Sequence, residues 1–414
     1  MAVDKIPTGY KETILGILPV DWSVVRLKDK FDRITTKNKK NVTNVLTISA
    51  QHGLINQEMY FNKSVASKDL SNYILLEKGD FAYNKSYSNG YPYGAIKKLS
   101  KYDEGVVSSL YICFKPTSNN KTPEFYEHYF EAGMFNHEIH AIAQEGARNH
   151  GLLNVSIGDF FNSYIIDADE KELNKIASIL STWDKAIELK EKLIEQKKEL
   201  KKGLMQKLLT GEVRMPGFED EWKKVRIKDF CRTYSGGTPN RSIREYYEEG
   251  AIPWIKSGEL NARKVTKVEE YITELGLKKS SAKLVSPNTL LLALYGATAG
   301  VIAKCEITAT INQAILAIVP NERCNNNFLF YYLEYAMSEI INTYTQGGQP
   351  NLNAEIVKNL LVELPSTEEQ NIISLIFMVC DEEIELYTKE LEQLKYQKQS
   401  LMQQLLTGKV RVKV

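Results

Sequence analysis

The side chains of this sequence that could do chemistry are hydrogen-bonding groups set in glycine-bearing loops. In the second half, Ser235-Gly236-Gly237-Thr238-Pro239-Asn240-Arg241 joins glycines, which let a backbone approach a phosphate closely, to the charge of Arg241. Further polar loops follow at Pro253 to Gly258 (with Lys256 and Ser257), Leu294 to Gly300 (with Tyr295, Gly296 and Thr298), Asn312-Gln313-Ala314, and Gln346 to Asn351 (with Gln346 and Gln349). Amides and hydroxyls interleaved with glycine in separated loops suit the donor and acceptor edges of nucleic-acid bases better than they suit bond-making. In the first half, Arg33, Lys37, Lys39 and Lys40 cluster with Thr35, Thr36 and Asn38, a composition fit for phosphate and base-edge contacts. The loop from Asn84 to Tyr93 mixes Lys85, Tyr87, Ser88, Asn89 and Tyr91, and Arg148 adds a further candidate cation. A solvated loop, or aromatics capping a core, is the competing use of both segments.

Catalytic patterns are missing. There is no G-x-G-x-x-G, no G-x-x-x-x-G-K-[ST], no pair of adjacent prolines as in the Asn/Asp-Pro-Pro-aromatic motif of amino-methyltransferases, and no proline followed by aspartate as in common nuclease signatures. His137-Glu138-Ile139-His140 has possible metal spacing but lacks clustered further ligands, so a surface helix is the expectation and no metal is assigned. The five cysteines are scattered without a C-x-x-C pair, which fits a reducing compartment. The longest apolar run, Leu290 to Ala303, is broken by Gly296 and Gly300 and is too short to span a membrane, and Ile14 to Val20 makes a poor secretory signal. A cytoplasmic location is expected. The net charge of +1 argues mildly against a free-standing nucleic-acid binder, and residues 22–165 carry only a small excess, 17 basic against 14 acidic.

The elements that must hold these loops are set by an internal repeat. Trp22 with Val25-Arg26-Leu27-Lys28-Asp29 returns as Trp222 with Val225-Arg226-Ile227-Lys228-Asp229, and LMQKLLTGEVR (204–214) returns as LMQQLLTGKVR (401–411). Inside the copies only echoes survive: Tyr93 to Ile96 with Ala299 to Ile302, and Leu110 to Pro116 with Ala314 to Pro320. A shared frame with divergent interiors suggests one fold turned to two targets. Each copy ends in a heptad pattern. The first runs Ile176, Leu180, Trp183, Ile187, Ile194, Leu204, Leu208, with Lys190, Lys197 and Lys201 in register; the second runs Ile373, Phe377, Cys380, Ile384, Tyr387, Leu391, Leu394, Lys398, Leu401, Leu405. Such seams predict coiled-coil helices, closed by Gly211 and Gly408. About 40 residues would reach roughly 60 Å, more than the ~34–36 Å of a DNA turn, so an antiparallel pair could act as a ruler; ordinary dimerisation is the competing use. The expected class is α+β: two globular heads of short strands with some helix, separated by two long antiparallel coiled-coil helices, with a pseudo-two-fold internal repeat.

On GGTP at 236–239, IPWIKSGEL at 252–260, LYGATAG at 294–300, Asn312-Gln313-Ala314, the two LLTG helix endings and the duplicated frame, the chain resembles the specificity (S) subunit of type I restriction-modification systems over essentially its full length. The resemblance implies a non-catalytic subunit with two target-recognition domains, each reading one half of a split double-stranded DNA site. It implies conserved helices that set the spacing and bind two modification (methyltransferase) subunits, and restriction (endonuclease/translocase) subunits as further partners. S-adenosylmethionine, ATP and Mg would belong to those partners. The division expected is a first recognition domain with an N-terminal arm at 1–165, a spacer helix at 166–211, a second recognition domain at 212–362 and a second spacer helix at 363–414. The first recognition domain departs from the pattern in lacking GGTP and LYGATAG.

Overall fold

The computed structural model describes residues 6–49, 52–63, 66–67, 69–87, 90–143, 153–346, 349–350 and 352–414. Ser88, Asn89 and Arg148 lie outside the described residues, and the side chains of Gln346 and Gln349 are not described. The chain forms two compact units, residues 1–190 with 390–414, and residues 191–389.

In the first unit the central sheet is β1 (Phe31–Arg33), β2 (Phe81–Asn84), β3 (Ala95–Lys98) and β4 (Ile112–Pro116), in the order β1-β4-β2-β3 and antiparallel throughout. Its inward positions are aromatic: Phe31, Phe81 and Phe114 meet Phe125, Tyr126 and Phe130 of helix α1 (Pro123–Glu131) in a fully buried cluster. Those rings pack largely edge to face at centroid separations such as 5.3 Å for Phe31 and Phe114, the geometry that ring quadrupoles favour. A second, closing pair joins Ser23–Arg26 to Tyr164–Asp167, so the chain enters and leaves this head side by side.

The second unit repeats this plan with other residues. Its sheet comprises β5 (Cys231–Ser235), β6 (Lys264–Val265), β7 (Leu290–Ala293), β8 (Ile302–Cys305) and β9 (Ile315–Pro320), in the order β5-β9-β7-β8-β6. The first four strands of that order match those of the first head. Lys223–Arg226 pairs with Leu361–Leu364 as the closing pair. Where the first core is aromatic, this one is aliphatic: Leu290, Leu291, Leu292, Ile315, Leu316 and Ile318 are almost wholly buried. A second layer of four strands, Tyr271–Ile272, Ile252–Ile255, Ala309–Ile311 and Lys283–Val285, has its counterpart in the first head in two antiparallel pairs, Gly53–Asn56 with Leu46–Ser49 and Glu104–Val107 with Ile74–Glu77, joined by a parallel bridge between Val45 and Val106.

Helix α2 (Glu170–Leu209) follows the first closing pair and helix α4 (Thr367–Leu405) the second. In the first unit Asp184 pairs with Lys398 and Lys190 with Glu390; in the second Lys197 pairs with Glu383 and Lys201 with Asp381. Position numbers rise on one helix as they fall on the other, so the helices run antiparallel within each unit. The lysines found in the heptad register are these pairing residues. A two-stranded seam shields its residues only partly, so Ile187, Ile384, Tyr387 and Leu391 remain half-buried. Burial becomes complete where a head covers the seam, at Ile176 and Leu180 in one unit and Ile373 and Phe377 in the other.

The repeated frame has a structural purpose. Leu405 and Leu406, from the end of α4, are buried in the core that holds Trp22 and Leu27; Leu208 and Leu209, from the end of α2, are buried with Ile227 and Phe230. Each head is thus completed by the helix ending of the other copy. Polar contacts lock both joints. Glu172 accepts hydrogen bonds from the Trp22 indole N–H (3.0 Å) and from Arg411 through Nε (2.6 Å) and Nη2 (2.7 Å). Glu369 accepts equivalently from Trp222 (3.2 Å) and from Arg214 Nε (2.9 Å) and Nη2 (2.8 Å). The paired N–H groups of arginine match a carboxylate's two oxygens, and this contact holds both guanidinium pKa values above their ordinary range.

Candidate nucleic-acid interface

In an antiparallel sheet of order 1-4-2-3, the end of the first strand, the end of the second and the start of the third share one edge. The loops leaving that edge are the segment after the first strand and the segment between the second and third. In the first head they are the Ile34 to Lys40 segment and the loop from Lys85 to Gly94; in the second they are the Gly236 to Arg241 segment and the loop from Leu294 to Val301. Most candidate residues from both heads therefore sit in two equivalent places. The interior echo also gains a meaning. Gly94 and Gly300 stand just before the third strand at φ +77° and +79°, and a Cβ would lie 2.2 Å from the Asn84 carbonyl oxygen at the first and 2.1 Å from Ile341 Cδ1 at the second.

In the second head, packing brings Gly237, Thr238, Arg241, Lys256 and Gln313 together. Gly236 and Gly237 are required for this: a Cβ would meet the Ile311 carbonyl oxygen at 1.8 Å and Ser281 Oγ at 1.9 Å. Thr238 Oγ1 donates to Gln313 Oε1 at 2.5 Å, tying the two loops. Leu294 N–H donates to the Ala314 carbonyl, so the turn bearing Tyr295, Gly296 and Thr298 leaves the sheet beside Gln313. Ser257 opens a short 3-10 helix, Ser257–Ala262, directly after Lys256. Gln346 and Gln349 face each other in a short antiparallel pair, and Leu352 just beyond bonds to the Leu294 carbonyl.

The electrostatics of this cluster could not be read from spacing. Arg241 Nη1 lies 2.6 Å from Glu270, and Lys256 Nζ lies 2.8 Å from Glu270 and 3.4 Å from Glu269. The adjacent Arg241 guanidinium and then the Lys256 ammonium hold the Glu270 carboxyl below its ordinary pKa, and Glu270 in turn raises that of Lys256. The Arg241 guanidinium also stacks on the Tyr247 and Trp254 rings, 4.7 and 4.9 Å from their centroids. Glu269, Glu270 and Tyr247 lie outside the candidate loops, and nothing in their spacing marks them as neighbours of Arg241, whereas Trp254 falls within the Pro253 to Gly258 loop.

In the first head the candidates are more dispersed. Lys37 Nζ donates to the Asn72 carbonyl, Lys40 stands 3.6 and 3.7 Å from Glu77 and Glu104, and Lys39 is exposed. Lys85 accepts a backbone bond from Leu153, and Tyr87 is 63% exposed. The helix Asn136–Ile142 carries the H-x-x-H pattern, but Glu138 faces inward and accepts from the Tyr164 backbone N–H at 2.7 Å. No group of residues among those described could hold a metal ion, and no helix among them is long and apolar enough to cross a membrane.

A further equivalence escaped the sequence. Phe125-Tyr126-Glu127-His128-Tyr129-Phe130-Glu131 of α1 corresponds to Phe328-Leu329-Phe330-Tyr331-Tyr332-Leu333-Glu334 of helix α3 (Asn326–Tyr344). His128 lies 3.6 Å from Asp184 and hydrogen-bonds Ser181 on α2; Tyr331 donates to Asp381 on α4 at 2.8 Å. Arg263, at φ +59°, and Lys201 join Asp381 as well. Three identities in seven were too few to register against the background.

Residues 219–396 match the family described as type I restriction modification DNA specificity domain. The putative type I restriction enzyme MjaX specificity subunit of Methanocaldococcus jannaschii is 26% identical, covering 98% of this chain and 97% of that protein. The MjaVIII specificity subunit of the same organism is 27% identical, covering 98% and 96%. Among solved structures, the S subunit of a type I restriction-modification system from M. genitalium aligns with TM-score 0.56 at 17% identity, over 93% of this chain and 96% of that one. A chain from a type I R-M system, studied for its complex assembly and conformational transition, aligns with TM-score 0.58 at 18% identity, over 95% and 99%. The second half of the chain is thus similar to the type I restriction modification DNA specificity domain, and the chain is similar along almost its whole length to specificity subunits of type I restriction enzymes.

Proposed function

We propose that this chain is the DNA sequence-specificity subunit of a type I restriction-modification complex, with each head reading one half of an asymmetric bipartite site. The observation that carries the reading is the placement of the candidate loops: both heads use the same two exits from the same sheet, and fill them with different residues. A common frame with unlike loops is what two readers of unlike half-sites require. Residues 22–165 and 222–362 are the readers in this proposal. The helices set the length of the spacer between half-sites and dock two methyltransferase subunits; restriction subunits complete the assembly. Methyl transfer and ATP-dependent cleavage, with S-adenosylmethionine, ATP and Mg, then belong to those partners, and the complex works in the cytoplasm.

Co-expression of this chain with a matching modification subunit, followed by genome-wide mapping of adenine methylation, tests the reading. The expected result is methylation at a new two-part motif with an unread spacer. Methylation that is absent, or that is independent of this chain, would overturn it.

A further inference from the structure

The cluster around Arg241 is built as a rigid, electrically balanced donor. Two cations, Arg241 and Lys256, face two carboxylates, Glu269 and Glu270, at 2.6 to 3.4 Å. A loop meant to grip phosphate would present uncompensated charge. Here the charge is spent internally, yet the Arg241 side chain remains 53% exposed. Glu270 engages Nη1, and the other N–H groups of the guanidinium have no protein partner among the described residues. The platform under it is fixed by the loop that carries it: the Trp254 indole N–H donates to the Gly237 carbonyl at 3.2 Å, and the Tyr247 hydroxyl to the Pro239 carbonyl at 2.5 Å. With Gly236 and Gly237 wedged against Ile311 and Ser281, the loop has little freedom to move.

We infer that Arg241 is a base-reading residue of the second head that recognises a guanine in the major groove, and that Glu270, with the Tyr247 and Trp254 rings, positions its planar fork. This deepens the proposed function and rests on it. Guanine is the base whose major-groove edge offers two acceptors, O6 and N7, to a paired donor. A neutral, pre-oriented fork gains its affinity from that match and little from the backbone, so it discriminates sequence.

The test uses the full-length chain assembled with its modification subunits and a library of DNA duplexes randomised over both half-sites, with binding measured at two salt concentrations. For Arg241→Ala and Arg241→Lys, preference for guanine at one position of the half-site read by the second head should fall by about tenfold to a hundredfold. The other half-site and the salt dependence should stay as in the unaltered protein. Lysine is included because it keeps the charge and lacks the fork. Glu270→Gln should weaken the preference at the same position only. A uniform loss of binding with a shallower salt dependence, restored by lysine, would make Arg241 a phosphate contact and overturn the inference, as would unchanged preferences in all three variants. If the unaltered assembly selects no two-part site, the DNA-reading function itself falls, and this inference with it.

Discussion

Glu172 and Glu369 sit in the first turn of a long helix with their carboxylates almost wholly buried, each held by an arginine fork and an indole N–H. Removing Glu369 takes the carboxylate from both the Trp222 indole N–H and the Arg214 fork, which costs more than losing an exposed pair, whereas Arg411 keeps Asp21 when Glu172 is removed. Glu369→Ala is therefore expected to lower the thermal midpoint clearly, whereas Glu385→Ala, which breaks the exposed pair with Lys389, should leave it nearly unchanged; equal midpoints for the two variants would refute the joint. Leu406→Ala should cost about 2–5 kcal/mol in chemical denaturation, since it opens a cavity in the core of the first head. His128 makes a different prediction. Burial, the largest influence, drives its pKa below the ordinary 6.5, against the pull of Asp184; Lys398, Glu127 and Lys98 are its other charged neighbours. The unfolded chain then takes up its proton before the folded one does, so stability falls as pH drops below about 6.5. Asp80, raised to about 6 by burial, acts in the opposite sense, because the folded state holds that proton more tightly. The comparison must accordingly be between variants: His128→Tyr, which copies Tyr331, should flatten the fall in melting temperature between pH 7 and 5, and an unaltered pH profile would rule out this role.

At the scale of elements, the ion pairs make the helices a matched set. A four-residue insertion near Glu199 alone would shift the two sides of the insertion by about one helical turn relative to each other, so the pairs Lys197 with Glu383 and Lys201 with Asp381 would not both survive. Length should be changed on both helices at once, in whole heptads, so that the seam keeps its phase. Seven residues added between Lys190 and Ile194 and seven between Tyr387 and Glu390 lengthen each helix by about 10.5 Å, or roughly three base pairs at 3.4 Å each. Methylation mapping should show a spacer longer by about three base pairs with both half-sites intact. Altered half-sites with an unchanged spacer would mean that the helices do not measure DNA.

For the whole molecule, the near balance of charge and the equivalence of the two heads set the expectations. With 53 basic and 52 acidic residues, the isolated chain should bind DNA weakly and lose that binding steeply with salt, while the assembled complex binds tightly. Replacing residues 22–165 by the corresponding segment of a relative should change one half-site only, because the closing strand pairs, Ser23–Arg26 with Tyr164–Asp167 and Lys223–Arg226 with Leu361–Leu364, bring the entry and exit of each head together, so that the exchanged segment leaves and rejoins the frame at one place. Sequencing the methylated motif before and after the exchange checks this; a change in both half-sites would show that the heads read jointly.

The repeat, the two helices with their glycine stops and the loops holding the candidate contacts were legible in the sequence, because each is a local pattern: a period of seven, a breaker at a fixed place, a run of like residue types. The LLTG endings and the Trp22 and Trp222 segments could be recognised as a pair of matches, but not as partners. Contact between Arg411 and Glu172, or Arg214 and Glu369, joins residues 239 and 155 positions apart, and no periodicity links such positions. The common 1-4-2-3 sheet was hidden because one copy fills its interior with phenylalanine and tyrosine and the other with leucine and isoleucine, which bury equally well while sharing few identities. The sequence alone thus determined that one frame is used twice and which loops could reach a ligand. Only the tertiary structure decided that each head is sealed by the helix ending of the other copy, and that Arg241 and Lys256 meet carboxylates from elsewhere in the chain, since charge balance within a cluster depends on what folding brings together.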